Sequence, residues 1–240
     1  MPVDALYRND FTLTSCDAMV TSVHEDGTFE TDRTCFYATS GGQPGDTGIA
    51  TREDGSAIAL ALTRHGETKD TILHVPAEGE TPPAVGDRLR LEIDWPRRLK
   101  LMRMHTACHL LSVVCPYPIT GASVGEDESR VDFDMSDTID KDAVTAAMMK
   151  LVAEDHPVYV QWITDEELAA NPGIVKSKNV RPPMGMGRIS LIAIGENASV
   201  DSQPCGGTHV RSTGEVGGIH IGKIEKKGRE NRRFRIRFDA

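Results

Sequence analysis

Between Arg88 and Ile93 the chain alternates strictly, with Leu89, Leu91 and Ile93 apolar and Arg88, Arg90 and Glu92 charged. This is the two-residue period of a strand with one buried face. Similar short runs fill residues 1–93, broken by turn clusters at Glu25-Asp26-Gly27, Ser40–Gly48, Glu53-Asp54-Gly55 and Ala84–Asp87. Strands interrupted at this spacing predict a small β-barrel or sandwich.

The period changes at Asp94-Trp95-Pro96, where Asp94 can cap a helix and Pro96 sits in its first turn. Arg97 to Val114 follow without Gly or Pro, and Pro116 stops the run. A second helix is predicted from about Asp140 to Asp155, with Val144, Met148, Leu151 and Val152 on one face and Pro157 beyond it. A third starts at Thr164, where Thr164 and Glu167 have capping-box spacing. Strand-like runs lie at Arg130–Met135, Val158–Ile163, Arg188–Ile194, Gly217–Lys223 and Arg232–Phe238. The reading is α+β, with a β-barrel domain over residues 1–93 and a second domain over 94–240.

His105 and His109 stand four apart in the predicted Arg97–Val114 helix, so both imidazoles leave one face a single turn apart. Cys205 and His209 repeat that spacing in a Gly-rich segment. Three imidazoles and a thiolate suit Zn²⁺, whereas Mg²⁺ and Ca²⁺ want oxygen. The competing reading packs the two helix histidines on a core face and makes Cys205 a small buried residue. Cys108 points about 100° away from His109 around the helix and reads as core. His24, His65, His74, His156 and His220 have no partner at ligand spacing.

The run Ser40–Gly48 holds four glycines, Gly41, Gly42, Gly45 and Gly48, but matches neither a P-loop nor GxGxxG. A hairpin connection is the simpler expectation; as a ligand loop it would offer Gln43, Asp46 and Thr47. The five cysteines are scattered and odd in number, which predicts reduced thiols and a cytoplasmic protein. Met1–Asp10 has no apolar leader, and no run is long enough to span a bilayer, so no membrane partner is expected. The net charge of −9 argues against a nucleic-acid partner on average. Its distribution does not: from Lys223 to Ala240, eight basic residues face three acidic ones, a net of +5, which leaves −14 on the rest.

Three separated motifs then carry a resemblance. They are Phe36–Gly48, the helix segment His105-Thr106-Ala107-Cys108-His109-Leu110-Leu111, and Asp201-Ser202-Gln203-Pro204-Cys205-Gly206-Gly207-Thr208-His209-Val210. In this order, with the basic Lys223–Ile236 run at the end, the sequence resembles freestanding alanyl-tRNA editing proteins of the AlaX family, in the longer class with an N-terminal barrel. It is also similar to the editing domain of alanyl-tRNA synthetases. The resemblance covers nearly the whole chain.

It implies a small β-barrel followed by the α+β editing domain shared by threonyl- and alanyl-tRNA synthetases. It implies a trans-acting, zinc-dependent deacylase whose partner is the acceptor end of tRNA(Ala) carrying serine, and glycine too. Such an enzyme answers a physical need, because a pocket shaped for alanine rejects neither the smaller glycine nor a serine that merely adds a hydroxyl. The alternatives are editing of another mischarged tRNA, such as Ser-tRNA(Thr), and a non-catalytic module stapled by zinc. The implied ligands are His105, His109, Cys205 and His209, with Asp201 and Gln203 orienting them. If all four bind at once, the site is closed like a structural one. Substrate contacts are expected from Thr120, Ser123, Gly41, Gly42, Gln43 and Asp46, and the sequence names no general base. Candidate tRNA contacts are Arg97, Arg98, Lys100 and Arg103 at the helix start, Lys176, Lys178 and Arg181, and Lys226, Lys227, Arg229, Arg232 and Arg233 in the tail. With few aromatic residues, backbone contacts rather than base stacking should dominate.

Overall fold

The computed structural model describes residues 2–179 and 188–239. The chain divides into two compact units, Met1–Leu99 and Lys100–Ala240.

The first unit contains strands β1 (Asp4–Ala5), β2 (Ser15–Val23), β3 (Phe29–Thr31), β4 (Arg33–Thr34), β5 (Gly48–Arg52), β6 (Ala57–His65), β7 (Ile72–Pro76) and β8 (Arg88–Ile93). Strands β2-β3-β7-β6-β5-β8 close into a barrel, which leaves none of these six an open edge. Alternation along β8 takes the form its sequence predicts, with Leu89, Leu91 and Ile93 buried beside Val20, Phe29, Phe36, Ile58 and Leu60.

The Gly-rich run is a hairpin turn. Ser40 and Gln43 exchange backbone hydrogen bonds of 3.1 and 2.9 Å around Gly41 and Gly42. Both glycines take positive φ, 56° and 85°, as a tight two-residue turn of this hand requires. Gly45 is glycine for another reason: a Cβ there would lie 1.8 Å from the Thr63 carbonyl oxygen on β6.

Beyond the turn, the Asp46 carboxylate accepts from Arg98 Nε at 2.8 and 3.0 Å, from Arg98 Nη2, and from the Tyr37 amide at 2.6 Å. Arg98 also donates to the backbone oxygens of Phe11 and Cys35, and neither charged side chain reaches solvent. These contacts overturn two expectations. Arg98 is a buried internal cation and not a phosphate contact, and Asp46 is committed to it and cannot receive a ligand. Gln43 is also fully buried, so its side chain does not serve as an exposed loop contact.

Helix α1 (Trp95–Val114) begins where the sequence places it, with Asp94 Oδ1 accepting from the Arg97 amide at 3.1 Å. From Leu101 to Ser112 every residue except Arg103 is buried, so this stretch of the helix is core on nearly all sides. The second unit continues through β9 (Ile119–Ser123), β10 (Glu128–Asp134), α2 (Lys141–Ala153), β11 (Val158–Ile163), α3 (Asp165–Ala170), β12 (Ile189–Ile194), β13 (Asp201–Pro204), β14 (Ile219–Gly228) and β15 (Asn231–Phe238).

Two antiparallel sheets result, in the orders β14-β15-β10-β9 and β11-β12-β13. Asp140 caps α2, which buries Val144, Met148 and Val152 and accepts the Ile221 amide of β14 on Thr145 Oγ1. The Thr164–Glu167 capping box is present on α3. The sequence did not reveal β9 or β13, because their five and four residues include Gly121 and Pro204 and show little alternation.

Candidate metal centre

Helix α1 presents His105 and His109 from one face, and the end of β13 delivers Cys205 and His209. One ligand atom from each residue lies within 4.8 Å of all the others. Cys205 Sγ is 3.4 Å from His105 Nε2 and 3.5 Å from His209 Nε2. Ser190 locks the strand end that carries Cys205: its carbonyl accepts the Cys205 amide, and its hydroxyl donates to the Cys205 carbonyl.

Two of the four ligands, His209 and His109, are oriented from behind. Thr106 Oγ1 lies 3.1 Å from His209 Nδ1, so Nε2 is the ring nitrogen left facing Cys205. His109 turns Nδ1 toward Asp201 Oδ2 at 3.6 Å, beyond direct hydrogen-bond range but well within the reach of its charge. Asp201 is itself held by Lys176 Nζ at 2.5 Å and Gln203 Nε2 at 2.6 Å, and both donors also reach Ser112 Oγ.

Protonation follows from these contacts. Burial opposes the Cys205 thiolate, but the three surrounding imidazoles outweigh it and pull the thiol pKa well down. Burial would likewise lower His109, yet Asp201 and Cys205 hold it up at about 9. His209 is pushed down to about 3 by burial and by His105, which leaves it a neutral imidazole. A thiolate and three imidazoles converging on one point form the donor set of a zinc site once His109 gives up the proton it holds in the metal-free pocket, and buried outer partners at His109 and His209 are what such ligands require. The residues therefore fit a bound Zn²⁺.

The matching family model is the threonyl and alanyl tRNA synthetase second additional domain, over residues 189–235, which includes Cys205 and His209. The alanyl-tRNA editing protein AlaX-M of Methanosarcina acetivorans is 34% identical, aligned over 96% of this chain and 97% of its own. The chain belongs to the AlaX family of alanyl-tRNA editing proteins. The AlaX-M protein of Methanosarcina mazei is 35% identical over 96% of this chain and 94% of its own. The alanine–tRNA ligase of Pyrobaculum aerophilum is 35% identical over 92% of this chain but only 25% of the ligase.

Other residues of this AlaX chain depart from the sequence reading. Thr120 lies on β9, where its hydroxyl donates to the Asp132 carbonyl and accepts from Asn231 Nδ2. The sheet takes the donor of that hydroxyl and one of its two lone pairs, so toward a substrate hydroxyl Thr120 could only accept. Ser123 is half-buried on the same strand, and Gly41 and Gly42 are exposed at the hairpin tip. Lys176 is folded inward onto Asp201, and Lys178 pairs with Asp134 at 2.5 Å. Arg181 lies outside the described residues.

Arg97 donates to the Gly45 carbonyl, and Lys100 pairs with Asp127. Arg103 donates to the Val216 carbonyl and stacks on Phe238. In the tail, Arg233 holds Asp132, Arg235 holds Glu128 and Glu225, Arg237 holds Glu128, and Lys227 holds Glu225. Arg232 donates to backbone carbonyls, including that of Ser136. Much of the basic excess read from the sequence is thus neutralised by carboxylates of β10 and β14. Among the described residues, Lys223, Lys226 and Arg229 are the exposed cations of this run with no carboxylate partner.

Proposed function

We propose that this chain hydrolyses the ester between a wrong amino acid and the terminal ribose of tRNA(Ala), releasing serine and also glycine, as a trans-acting editor in the cytoplasm. The observation that carries this reading is the convergence of His105, His109, Cys205 and His209, in a chain matched from end to end by alanyl-tRNA editing proteins. Those four residues would hold Zn²⁺. When bound, the ion supplies Lewis acidity that polarises the ester carbonyl or brings the pKa of a bound water toward roughly 7.

The side chains do the positioning. Thr106 holds the ring of His209, while Asp201, anchored by Lys176 and Gln203, sets the ring of His109. Lys226 and Arg229 are the best placed of the candidate cations to meet tRNA phosphate, being exposed and free of carboxylate partners.

A second reading has one observation in its favour: four convergent donors are enough to close a tetrahedral site, as in a zinc that only staples the fold. Release of labelled serine, glycine and alanine from tRNA(Ala), and of serine from tRNA(Thr), separates the two. Editing predicts loss of serine and of glycine and retention of alanine on tRNA(Ala). No deacylation by the zinc-loaded protein would leave the structural reading, and preference for Ser-tRNA(Thr) would reassign the substrate.

A further inference from the structure

Two thiols meet in the barrel unit, away from the metal ligands in the chain. Cys16 lies on β2, its Cα paired with that of Leu91 on β8, and Cys35 Sγ sits 3.9 Å from the Leu91 carbonyl oxygen. Both side chains pack in one apolar cluster and meet there beside Leu91. Their exposure differs: Cys35 has no accessible surface, whereas Cys16 is half-buried and reachable from solvent. Cys108 and Cys115 are buried, and Cys205 belongs to the metal centre.

We propose that Cys16 and Cys35 are a redox-reactive pair that closes to a reversible disulfide when the protein meets a peroxide. Cys16 attacks first. Its sulfur takes one peroxide oxygen as the O–O bond breaks, giving the Cys16 sulfenic acid and one water. The Cys35 sulfur then attacks the Cys16 sulfur; the S–S bond forms, the S–O bond breaks, and the hydroxyl leaves with the Cys35 proton as a second water. The two thiols lose two electrons, and the peroxide gains them.

Accessibility fixes the order, because an oxidant in solution can touch only Cys16. Acidity supports it: the neighbouring Cys35 thiol lowers the Cys16 pKa, and the Cys16 thiol together with burial raises that of Cys35. The bond would tie β2 to the segment that leads through Phe36 and Tyr37 into the Gly41-Gly42 hairpin. The Cys35 carbonyl is already gripped there by Arg98. Joining these two points constrains the unfolded chain and should make the oxidised barrel harder to melt.

The test treats the full-length, zinc-loaded chain with hydrogen peroxide, blocks free thiols, digests without reductant and maps the peptides by mass. Trypsin cuts at Arg33, between the two cysteines, so a bridge appears as two linked peptides lighter by two hydrogens. The expected result is that linked pair, abolished by dithiothreitol, with a higher melting temperature for the oxidised than for the reduced protein. In Cys35→Ser, Cys16 should stop as a sulfenic acid trapped by dimedone, and in Cys16→Ser, Cys35 should stay a free thiol. Wild-type protein in which Cys16 passes to sulfinic acid while Cys35 stays free would overturn the proposal. So would wild-type protein in which both thiols survive peroxide unchanged. The wild-type map decides the matter even if a variant fails to fold.

Discussion

Thr106 Oγ1 and His209 Nδ1 lie 3.1 Å apart, joining the helix that carries two ligands to the segment that carries the other two. Thr106→Val keeps the shape of this buried side chain and removes its oxygen, so His209 loses the partner that fixes its ring. Zinc affinity, measured by competition with a chelating dye, should fall about 10- to 100-fold. The melting temperature of the chelator-stripped protein should change little. Unchanged affinity would mean that the Thr106 hydroxyl does not orient the ligand.

Arg98→Met leaves the Asp46 carboxylate buried without its cation. Urea unfolding of the barrel should register a loss of about 3–5 kcal/mol, the scale for breaking one half of a buried pair. Removing both charges, as in Arg98→Met with Asp46→Leu, should recover much of that loss. If Arg98 contacted tRNA instead, the single variant would weaken tRNA binding and leave stability intact.

Lys226→Ala with Arg229→Ala removes two exposed cations from the β14–β15 hairpin. Binding of tRNA, followed as Kd against salt, should weaken, and the slope of log K should flatten by about 0.9 for each phosphate that is no longer neutralised. Arg235→Ala should shift the slope less, because Glu128 and Glu225 already hold that guanidinium.

His74 is buried in the barrel against Phe29 and Phe36, with Nε2 3.4 Å from Thr31 Oγ1. Because the Thr31 hydroxyl donates to the Arg33 carbonyl, it accepts from His74 Nε2, and Nδ1 is left bare in the core. Burial pushes the His74 pKa down to about 3 from 6.5. Between those values the unfolded chain holds a proton that the folded barrel excludes, so stability rises with pH and is lost on acidification below 6.5. Barrel stability measured by denaturant titration should fall by about 1.4 kcal/mol per pH unit across that window. His74→Gln should flatten this dependence.

The parts of the site that were legible in the sequence are those with local causes. A spacing of four on a helix puts His105 and His109 on one face whatever surrounds them, and Asp94 with Pro96 announces where that helix begins. What the sequence hid is non-local. Thr106 sits between two candidate ligands with nothing to mark its partner 103 residues away. Lys176 reads as a solvated cation until the fold brings Asp201 to it. Arg98 stands in a basic run with Arg97 and Lys100, yet it alone turns fully inward, because the Asp46 carboxylate is buried at that point. The tail misleads in the same way, since Glu128 and Asp132 of β10 reach it only through strand pairing. The barrel was legible as a class because alternation and turn chemistry are local, whereas its strand order was not.

The central claim is that the cluster of His105, His109, Cys205 and His209 holds the zinc on which ester hydrolysis depends. The most direct measurement is the initial rate of serine release from Ser-tRNA(Ala), with metal content determined on the same samples, before chelation, after it and after zinc is restored. The account predicts one zinc per chain, loss of serine release in step with loss of metal, and recovery of both on reloading. Full serine release from protein shown to carry no metal would contradict it.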